Sequence, residues 1–471
     1  MVFSSLEFLY LFFPLCMLLY YLAKTINLKN AVLIVFSLIF YAWGELVYLF
    51  LMLATVGIDY FLGLGIEQHR GTKMGKLLLI VAVIINFGLL AYFKYVGFAV
   101  ASLNGILGTS IPVPDVALPI GISFYTFQVF SYIVDVYRGD VHAQKSPLKL
   151  LLFVSLFHQL VAGPIVRYDH VAAEIESRKV TPVEISMGID RFVVGLAKKV
   201  VLANLAGELA DTYLKANNLS EVPVLGMWFG LIMYALQIYF DFSAYSDMAI
   251  GMGRMVGFHY HENFNYPYLS RSISEFWRRW HMSLGSFFRD YVYIPLGGNR
   301  RHQIRNLFVV WALTGLWHGA SWNFVLWGLY FFVFLVLEKF FLNKYLEKCK
   351  PLAHVYFAVV ILLGWVLFCY TDLAGAGTAF KGLFGLNGNA FTDELVNLTL
   401  KNNVFFFIFA IIAAFPVIKL LKKLYVKVCK MGKKMATAAY VVKGIALAGL
   451  LFLSTSMLAG QAYNPFIYFR F

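Results

Sequence analysis

The chain is 471 residues long, with 61% hydrophobic, 18% aromatic and only 14% charged residues. Soluble globular domains are typically about 45–50% apolar and about 25% charged, so this composition excludes the water-soluble and disordered classes. The 39 lysines and arginines exceed the 25 acidic residues, giving a formal net charge of +14. Because the chain has so little polar surface, we do not expect these positive residues to bind nucleic acid. We expect them to lie in cytoplasmic loops, where they contact anionic lipid headgroups. The sequence therefore predicts a polytopic membrane protein.

The N-terminal stretch has neither a basic n-region nor a small-residue cleavage site. We therefore expect residues 6–23 to form a retained first span and not a removed signal peptide. The cysteines are far apart, without the spacing of a zinc site, and are expected to be packing residues. No metal site is predicted from them: Cys16, Cys349, Cys369 and Cys429.

Apolar windows of about 20 residues, the length that crosses a bilayer core, predict about ten to twelve spans. They lie near 6–23, 31–43, 46–66, 77–97, 116–137, 150–166, 187–206, 222–257, 306–345 (with room for two), 353–371, 403–421 and 440–460. The window 31–43 is short and 187–206 carries Lys198 and Lys199. We expect partial, tilted or broken helices there, which a membrane tolerates only against protein or a water-filled cavity.

Three loops rich in lysine and arginine are predicted to be cytoplasmic by the positive-inside rule. They contain Arg70, Lys73 and Lys76; Arg138, Lys145 and Lys149; and Lys419, Lys422, Lys423, Lys427, Lys430, Lys433 and Lys434. The segment 98–115 has no basic residue and is predicted to be an outside loop. The last span then delivers the C-terminal tail to the outside.

The segment 260–305 contains seven arginines, three histidines and many aromatic residues. It is too polar to span a bilayer, and it predicts amphipathic helices at the cytoplasmic interface or tucked among the spans. A single helix over 273–288 would place five residues on one apolar face: Trp277, Trp280, His281, Leu284 and Phe288. His281 would then face the protein interior. An interfacial helix with snorkelling arginines is the alternative, and the spacing leaves it open.

His318 lies in an apolar stretch without any acidic or basic residue between Arg305 and Glu338. An ionisable side chain at membrane depth is costly and indicates a functional site. A core imidazole bonded to a neighbouring helix is the alternative. Flanking Gly315 and Gly319 allow a backbone or a substrate to approach, and Trp317 and Trp322 are able to line a pocket.

Polar residues also interrupt the predicted span 222–257, where Asp241, Tyr245 and Asp247 occur in an apolar context. Buried carboxylates must be paired or hydrogen-bonded, so we expect these residues to brace a polar cavity and not to act directly in catalysis. His158 and Gln159 precede a Gly-Pro helix break inside another apolar run. That break favours a cavity lining.

Six segments together resemble the membrane-bound O-acyltransferase (MBOAT) family. The similarity is to its bacterial alginate and peptidoglycan O-acetyltransferase membrane subunits and, more distantly, to the teichoic acid D-alanyl transfer protein. The segments are 119–139, 159–167, 239–251, 262–300, 315–328 and 464–471. The resemblance implies an all-α fold in which about 10–12 transmembrane helices ring a central funnel, with amphipathic or re-entrant helices near the cytoplasmic face.

The resemblance also divides the chain and assigns roles to residues. It implies N-terminal helices over 1–115, a catalytic core over 116–345 and C-terminal helices with an extracytoplasmic tail over 346–471. His318 would act as general base on an acceptor hydroxyl. His281 would position the acceptor or stabilise the developing oxyanion. The remaining cavity residues would be Trp280 and Trp317, with Asp241, Tyr245, Asp247, His158 and Gln159.

The implied donor is a cytoplasmic thioester, acetyl-CoA or an acyl-carrier thioester, used as substrate without a tightly bound cofactor. Arg278, Arg279 and Arg289 could hold its phosphates, and they suit lipid headgroups equally well. An extracytoplasmic SGNH-type partner and a polysaccharide acceptor system are implied on the other side of a bacterial cytoplasmic membrane. The terminal FIYFRF resembles an acyl-transfer motif, which makes Tyr468 a candidate relay. The alternatives are that the tail is a docking peptide or an aromatic membrane anchor.

The sequence leaves two other functions open. A transporter or flippase for lipid-linked sugars would also have many spans and buried charges, but this sequence has no corresponding halves. An MBOAT enzyme acting on a lipid or protein acceptor is the second alternative, and the bacterial-type motifs count against it.

Overall fold

The computed structural model describes residues 1–161, 163–460 and 463–465. All regular secondary structure in these residues is helical. The α-helices are Phe13–Leu22, Ile26–Gln68, Lys73–Leu90, Val96–Leu107, Ile122–Arg138, Pro147–Ser155, Phe157–Leu160, Tyr168–Glu176, Pro182–Ala197, Leu205–Leu214, Val224–Met255, Ile273–Trp277, Met282–Phe288, Gln303–His318, Trp322–Leu337, Asn343–Leu346, Lys350–Cys369, Leu373–Leu383, Glu394–Ala413, Val417–Cys429 and Lys433–Gly460. Five π-helical segments and a 3₁₀ turn extend or join them: Phe8–Phe12, Ala91–Tyr95, Lys198–Asn204, Arg289–Tyr293, Glu338–Leu342 and Pro267–Leu269.

Within the described ranges, seven helices are long and apolar enough to cross a membrane. They are Ile26–Gln68, Lys73–Leu107, Val224–Met255, Trp322–Leu346, Lys350–Cys369, Glu394–Ala413 and Lys433–Gly460, while Phe8–Leu22 is a shorter apolar helix. The all-helical, polytopic prediction is confirmed. Fewer long spans occur than the about ten to twelve predicted by hydropathy windows, because several windows correspond to shorter or merged helices.

One sequence prediction about an individual segment is confirmed and another is wrong. The windows 31–43 and 46–66 correspond to two helices that meet at a break within Ile26–Gln68, since the chain kinks at Glu45, whose backbone is not helical (φ −148°, ψ 61°). The proposed loop 98–115 is helical over its first part, since Val96–Leu107 continues the preceding helix until Gly108 ends it in the left-handed conformation. The lack of basic residues in 98–115 therefore does not distinguish a loop from the end of a long helix.

Polar side chains start several of these helices. Thr25 Oγ1 accepts a hydrogen bond from the Leu28 amide at 3.2 Å, and Asp393 Oδ1 accepts one from Val396 at 2.7 Å. Such N-caps satisfy an amide that has no partner within the helix. The helix starts follow from these local sequence signals.

The described chain forms two compact units, Met1–Phe192 with Tyr245–Glu262, and Val193–Ala244 with Asn263–Phe471. These units reflect how the chain packs, whereas the predicted boundaries at residues 115 and 345 divide it by function and stay a prediction.

In the first unit, Arg178 joins three segments: its Nε donates to the Val256 carbonyl at 2.8 Å, and its Nη1 donates to Asn30 Oδ1 at 2.7 Å. Tyr20 donates to the same carbonyl at 2.7 Å.

The core of the second unit is aromatic and contains two helices in close contact, Gln303–His318 and Trp322–Leu337. A Cβ on Gly315 would lie 2.3 Å from the Phe324 carbonyl oxygen, and one on Gly328 would lie 2.3 Å from that of Trp311. No side chain fits at such distances, so these glycines permit the approach. The predicted close approach at Gly315 is therefore made by another helix backbone.

A buried carboxylate fixes a short helix in the second unit. Glu338 is fully buried and accepts hydrogen bonds from the Ser274 amide at 2.9 Å, the Ser274 hydroxyl at 2.7 Å and the Ile273 amide. Tyr356 also donates to it, at 3.3 Å. Glu338 thus caps the helix Ile273–Trp277 from a distant part of the chain.

Candidate active site

His318 is the last residue of the helix Gln303–His318 and is 3% exposed. Its ring lies within 4.9–5.2 Å, centroid to centroid, of the rings of Trp317, Trp327 and Phe368. We call these three residues the His318 cage. The imidazole is held in an apolar aromatic environment, where its hydrogen bonds are stronger than in water.

His281 occupies a break between two helices, and the prediction of one helix over 273–288 is wrong. The first helix ends at Trp277, and His281 caps Met282–Phe288 with left-handed backbone angles (φ 45°, ψ 54°). A non-glycine residue is uncommon in this conformation and persists only where the surroundings impose it, often at functional sites. The helix is broken at this point, but the prediction that His281 faces the protein interior is confirmed, since its side chain is buried.

The surroundings of His281 are set by Asn263. The Asn263 carbonyl accepts from the Met282 amide at 3.0 Å, and Asn263 Oδ1 accepts from the Ser283 amide at 3.2 Å and the Ser283 hydroxyl at 2.9 Å. His281 Nδ1 lies 3.1 Å from the same Oδ1. Because a backbone amide only donates, the shared atom is the oxygen. His281 therefore donates through Nδ1, and its Nε2 carries the lone pair.

Burial also sets the charge of His281, which is 2% exposed. Desolvation lowers its pKa to about 3, so the ring is neutral at physiological pH. A neutral imidazole is able to accept a proton or a hydrogen bond through Nε2.

The structure brings the two predicted histidines to one aromatic ring. Trp317 lies 5.8 Å from His281 and 4.9 Å from His318, centroid to centroid. The Phe242 ring also lies 4.7 Å from the His281 ring, centroid to centroid, in a perpendicular arrangement. Both imidazoles therefore pack against the same indole ring in the second unit, and their catalytic roles stay a prediction.

The tryptophans flanking this site divide into two groups. Trp280 is buried, 5.2 Å from Trp365 and 5.4 Å from Phe276, so it supports the aromatic core. Trp322 is 48% exposed, and its predicted place in a pocket lining stays a prediction. Trp327 lies beside His318. Trp322 and Trp327 are five residues apart and so lie on different sides of the helix, but the sequence alone does not show which of them faces His318.

Asp241 forms a buried ion pair with Lys199, Oδ1 to Nζ at 2.7 Å, with side chains 2% and 4% exposed. Sequence reasoning required a partner for this carboxylate but did not identify it. The signal was the lysine within the apolar window 187–206, since a buried cation needs an anion.

Tyr245 and Asp247 are in the first unit and have separate surroundings. The Tyr245 ring stacks on Phe3 at 4.3 Å. Asp247 accepts from Arg191 at 2.8 Å, and Arg191 also pairs with Glu262. Asp247 thus belongs to a partly exposed charge network, whereas the cavity role predicted for both residues stays a prediction.

His158 and Gln159 are buried on the short helix Phe157–Leu160 of the first unit. Tyr260 Oη lies 2.7 Å from His158 Nδ1. Burial, assisted by nearby Arg178, lowers the pKa of His158 to about 3. Gln159 donates to the Phe153 carbonyl. These bonds give both side chains structural partners, and their predicted lining of a cavity remains a prediction.

The arginine-rich segment forms one wall of a cavity of about 810 Å³ in the second unit. Five basic residues line it: Arg271, Arg278, Arg289, Lys339 and Lys350. Glu275 and Glu347 are the acidic residues of the lining. Arg279 is not in the lining and pairs with Glu275 at 2.7 Å, and Arg289 pairs with Asp290 at 2.6 Å. The cavity has an excess of positive charge that suits a phosphate-bearing ligand.

Comparison with known proteins connects this geometry to a family. The model of the membrane-bound O-acyltransferase family matches residues 140–374, a range that contains both histidines of the site. Probable alginate O-acetylase AlgI of Azotobacter vinelandii is 40% identical over 402 residues, covering 83% of this chain and 80% of the relative. The chain belongs to the membrane-bound O-acyltransferase family.

Two further relatives agree with this membership. Probable alginate O-acetylase AlgI of Pseudomonas putida is 37% identical over 498 residues, with both chains covered in full. The peptidoglycan O-acetyltransferase of Helicobacter pylori is 34% identical over 427 residues, covering 82% of this chain and 80% of the relative. The protein is a multi-pass membrane enzyme, an O-acyltransferase.

Tyr468 lies outside the described residues, so the relay prediction has no structural description. Among the residues that the structure does describe, no group of three histidine, cysteine, aspartate or glutamate side chains is arranged to hold a metal ion.

Proposed function

We propose that this enzyme takes an acetyl group from a cytoplasmic thioester and passes it across the bacterial cytoplasmic membrane for O-acetylation of a cell-surface polysaccharide. The acceptor class follows the relatives, which are named for alginate and peptidoglycan O-acetylation. The observation that carries the proposal is the pair of buried imidazoles on the Trp317 ring, inside the region matched by the family model.

In the proposed reaction, His318 accepts the proton of an acceptor hydroxyl as its oxygen attacks the thioester carbonyl. The new C–O bond forms, the C–S bond breaks, and the thiolate leaves with the proton that His318 returns. The His318 cage supports this role because it buries the imidazole away from bulk water, where a hydrogen bond to a reacting hydroxyl is stronger.

His281 has a positioning role in this proposal. Its Nδ1 hydrogen is donated to Asn263, so the neutral ring has no second N–H for an oxyanion. Its Nε2 is instead suited to accept a hydrogen bond from the acceptor hydroxyl. The tautomer therefore favours acceptor positioning over oxyanion stabilisation, the two alternatives that the resemblance left open.

The basic cavity is the proposed site for the donor. Arg278 and Arg289 line it with Arg271, and phosphates of acetyl-CoA or of an acyl carrier's phosphopantetheine would meet several cations there. Arg279, paired with Glu275, would act indirectly by holding that carboxylate. An SGNH-type extracytoplasmic partner, with Tyr468 as relay, would complete transfer to the polymer.

The test is the amount of polymer-bound acetate in cells that express His318→Ala. The matched control is His354→Ala, which replaces an exposed histidine. We expect acetate to fall more than about a hundredfold in the first variant, in line with the general-base contribution, and to stay unchanged in the second. Normal acetylation by an inserted His318→Ala protein would refute the catalytic role. A loss of the polymer itself would indicate a transporter.

A further inference from the structure

The C-terminal residues 463–465 contact the helical segment 198–214 of the same unit at three places. Tyr463 Oη donates to Asp211 Oδ2 at 2.9 Å. Asn204 Nδ2 donates to Asn464 Oδ1 at 3.3 Å. Lys199 Nζ donates to the Pro465 carbonyl oxygen. Three successive residues of the tail are thus bound by side chains spaced over 13 positions of one helical segment.

These side chains share a face because the helix changes its register. Lys198–Asn204 is a π-helix, in which hydrogen bonds run from i to i+5. Lys199 and Asn204 are five residues apart and therefore lie nearly above one another. In a regular α-helix they would be separated by about 140° around the axis. The segment then continues as the α-helix Leu205–Leu214, where Asn204 and Asp211 are seven residues apart and stay aligned.

Gly207 provides the space for the tail on this face. A Cβ at this position would lie 2.9 Å from Tyr463 Oη and 2.4 Å from Gln237 Nε2. Any side chain there would displace the tyrosine, which would lose its bond to Asp211. The face formed by Lys199, Asn204, Gly207 and Asp211 is the tail anchor.

One residue of the tail anchor, Lys199, is a buried cation. Lys199 is 3% exposed and already pairs with Asp241 in the core. Buried ion pairs are often no more stabilising than apolar residues of equal volume, so such a pair indicates a positional role. The remaining ammonium hydrogens of Lys199 are available to the carbonyl of Pro465.

The backbone of the bound tail is also restricted. Pro465 fixes its own φ and limits Asn464 to extended conformations. Binding at both residues therefore restrains the backbone at Asn464 and Pro465.

We propose that the tail anchor is a binding site for the protein's own C-terminal segment, and that Lys199 is a positioning residue that presents the aromatic tail for acyl transfer. This inference rests on the proposed relay role of the tail. The Lys199–Asp241 pair holds the tail at Pro465, the π-helix aligns Asn204 with it, and Gly207 admits Tyr463.

The first test measures the anchor without any acyl transfer. Cysteines replace Asn204 and Asn464 in a background in which Cys349 and Cys429 are serine, and a short bis-thiosulfonate reagent joins the two thiols in the full-length protein in membranes. We expect efficient cross-linking, and a yield at least about fivefold lower when Lys199→Met and Asp241→Leu are added together. The double replacement avoids leaving a lone buried carboxylate. An unchanged yield overturns the inference.

The second test asks whether anchoring acts through position. Tyr463→Phe removes the bond to Asp211 and leaves the core intact, while Tyr440→Phe, at a tyrosine that is 60% exposed, is the matched control. We expect about a fivefold lower transfer rate in the first variant only, and equal rates in both overturn the inference. In the Lys199→Met/Asp241→Leu protein, joining residues 204 and 464 should restore transfer, and cleaving the linker should abolish it again. Failure to restore transfer in a well-linked, normally inserted protein also counts against positioning.

The same variants separate this inference from the proposed function. Should Tyr468→Phe retain full transfer, the relay role fails, and with it the delivery role of Lys199, while the cross-link would still report the anchor. Should the cross-link be independent of Lys199, the anchor fails while His318→Ala continues to test catalysis.

Discussion

Asn263 accepts a hydrogen bond from His281 Nδ1 at 3.1 Å, and this contact specifies which ring nitrogen carries the proton. The same oxygen accepts from Ser283, so it holds the left-handed break at His281 as well as its tautomer. The Asn263 side-chain oxygen therefore determines that Nε2 of His281 is the nitrogen able to accept a proton.

The first prediction concerns Asn263→Asp. A carboxylate beside His281 Nδ1 would stabilise the imidazolium and raise the pKa of His281 from about 3. A protonated Nε2 donates and no longer accepts, so we expect polymer acetylation to fall at least about tenfold at neutral pH and to recover partly as pH rises. Transfer rates between pH 6 and 9 would measure this. A rate without pH dependence would contradict the assigned tautomer.

The second prediction concerns stability in acid. Burial lowers the folded-state pKa of His281 and of His158 to about 3, below the usual value near 6.5. The unfolded chain thus binds more protons than the folded chain between these values, and stability falls as pH is lowered from about 6.5 towards 3. Melting temperatures in detergent should fall over that range, and His281→Gln should make the fall shallower. An identical slope in the variant would mean that His281 is not buried in its neutral form.

The third prediction concerns the glycine contact that supports His318. Gly315→Ala would place a Cβ 2.3 Å from the Phe324 carbonyl, and overpacking of this kind typically costs about 1–3 kcal/mol. We expect a lower melting temperature and reduced transfer, because the helix that ends at His318 must move. Gly444→Ala is the matched control, since nothing lies within 4 Å of a Cβ there. Equal melting temperatures for the two variants would show that the helices tolerate separation.

The fourth prediction concerns the basic cavity. Arg278→Gln and Arg289→Gln should each raise the KM for the thioester donor by about three- to tenfold with a smaller effect on kcat, because they remove charge from the lining. Arg271→Gln should behave likewise. Acetyl transfer from acetyl-CoA in vesicles of fixed lipid composition would provide both constants.

Varying the lipid composition of the vesicles tests whether this cavity binds the thioester donor or anionic lipid headgroups. If the variants change the dependence of activity on anionic lipid and leave the donor KM unaltered, the cavity holds headgroups and the donor assignment is wrong. Lys427→Gln, outside the cavity lining, is the control for general loss of positive charge.

Local sequence signals predicted much of this protein. Apolar windows located the long helices, and Gly315 correctly indicated a close backbone approach beside His318. The break at His281 was not predictable, because helical spacing continues through it and the left-handed conformation depends on Asn263, 18 residues away. The ion pair between Lys199 and Asp241 was likewise hidden, since its partners belong to separate helices and only three-dimensional packing selects the pair.

The capping of Ile273–Trp277 by Glu338 has a consequence for the order of folding. A five-residue helix has too few hydrogen bonds to persist alone, and its capping carboxylate lies 65 positions later in the chain. Synthesis must therefore proceed through the helix Trp322–Leu337 before this part of the arginine segment takes its final form. Lys339, next to the capping residue, reaches the cavity wall at the same stage. A chain that ends before Glu338 would therefore carry both histidines without the completed wall of the basic cavity.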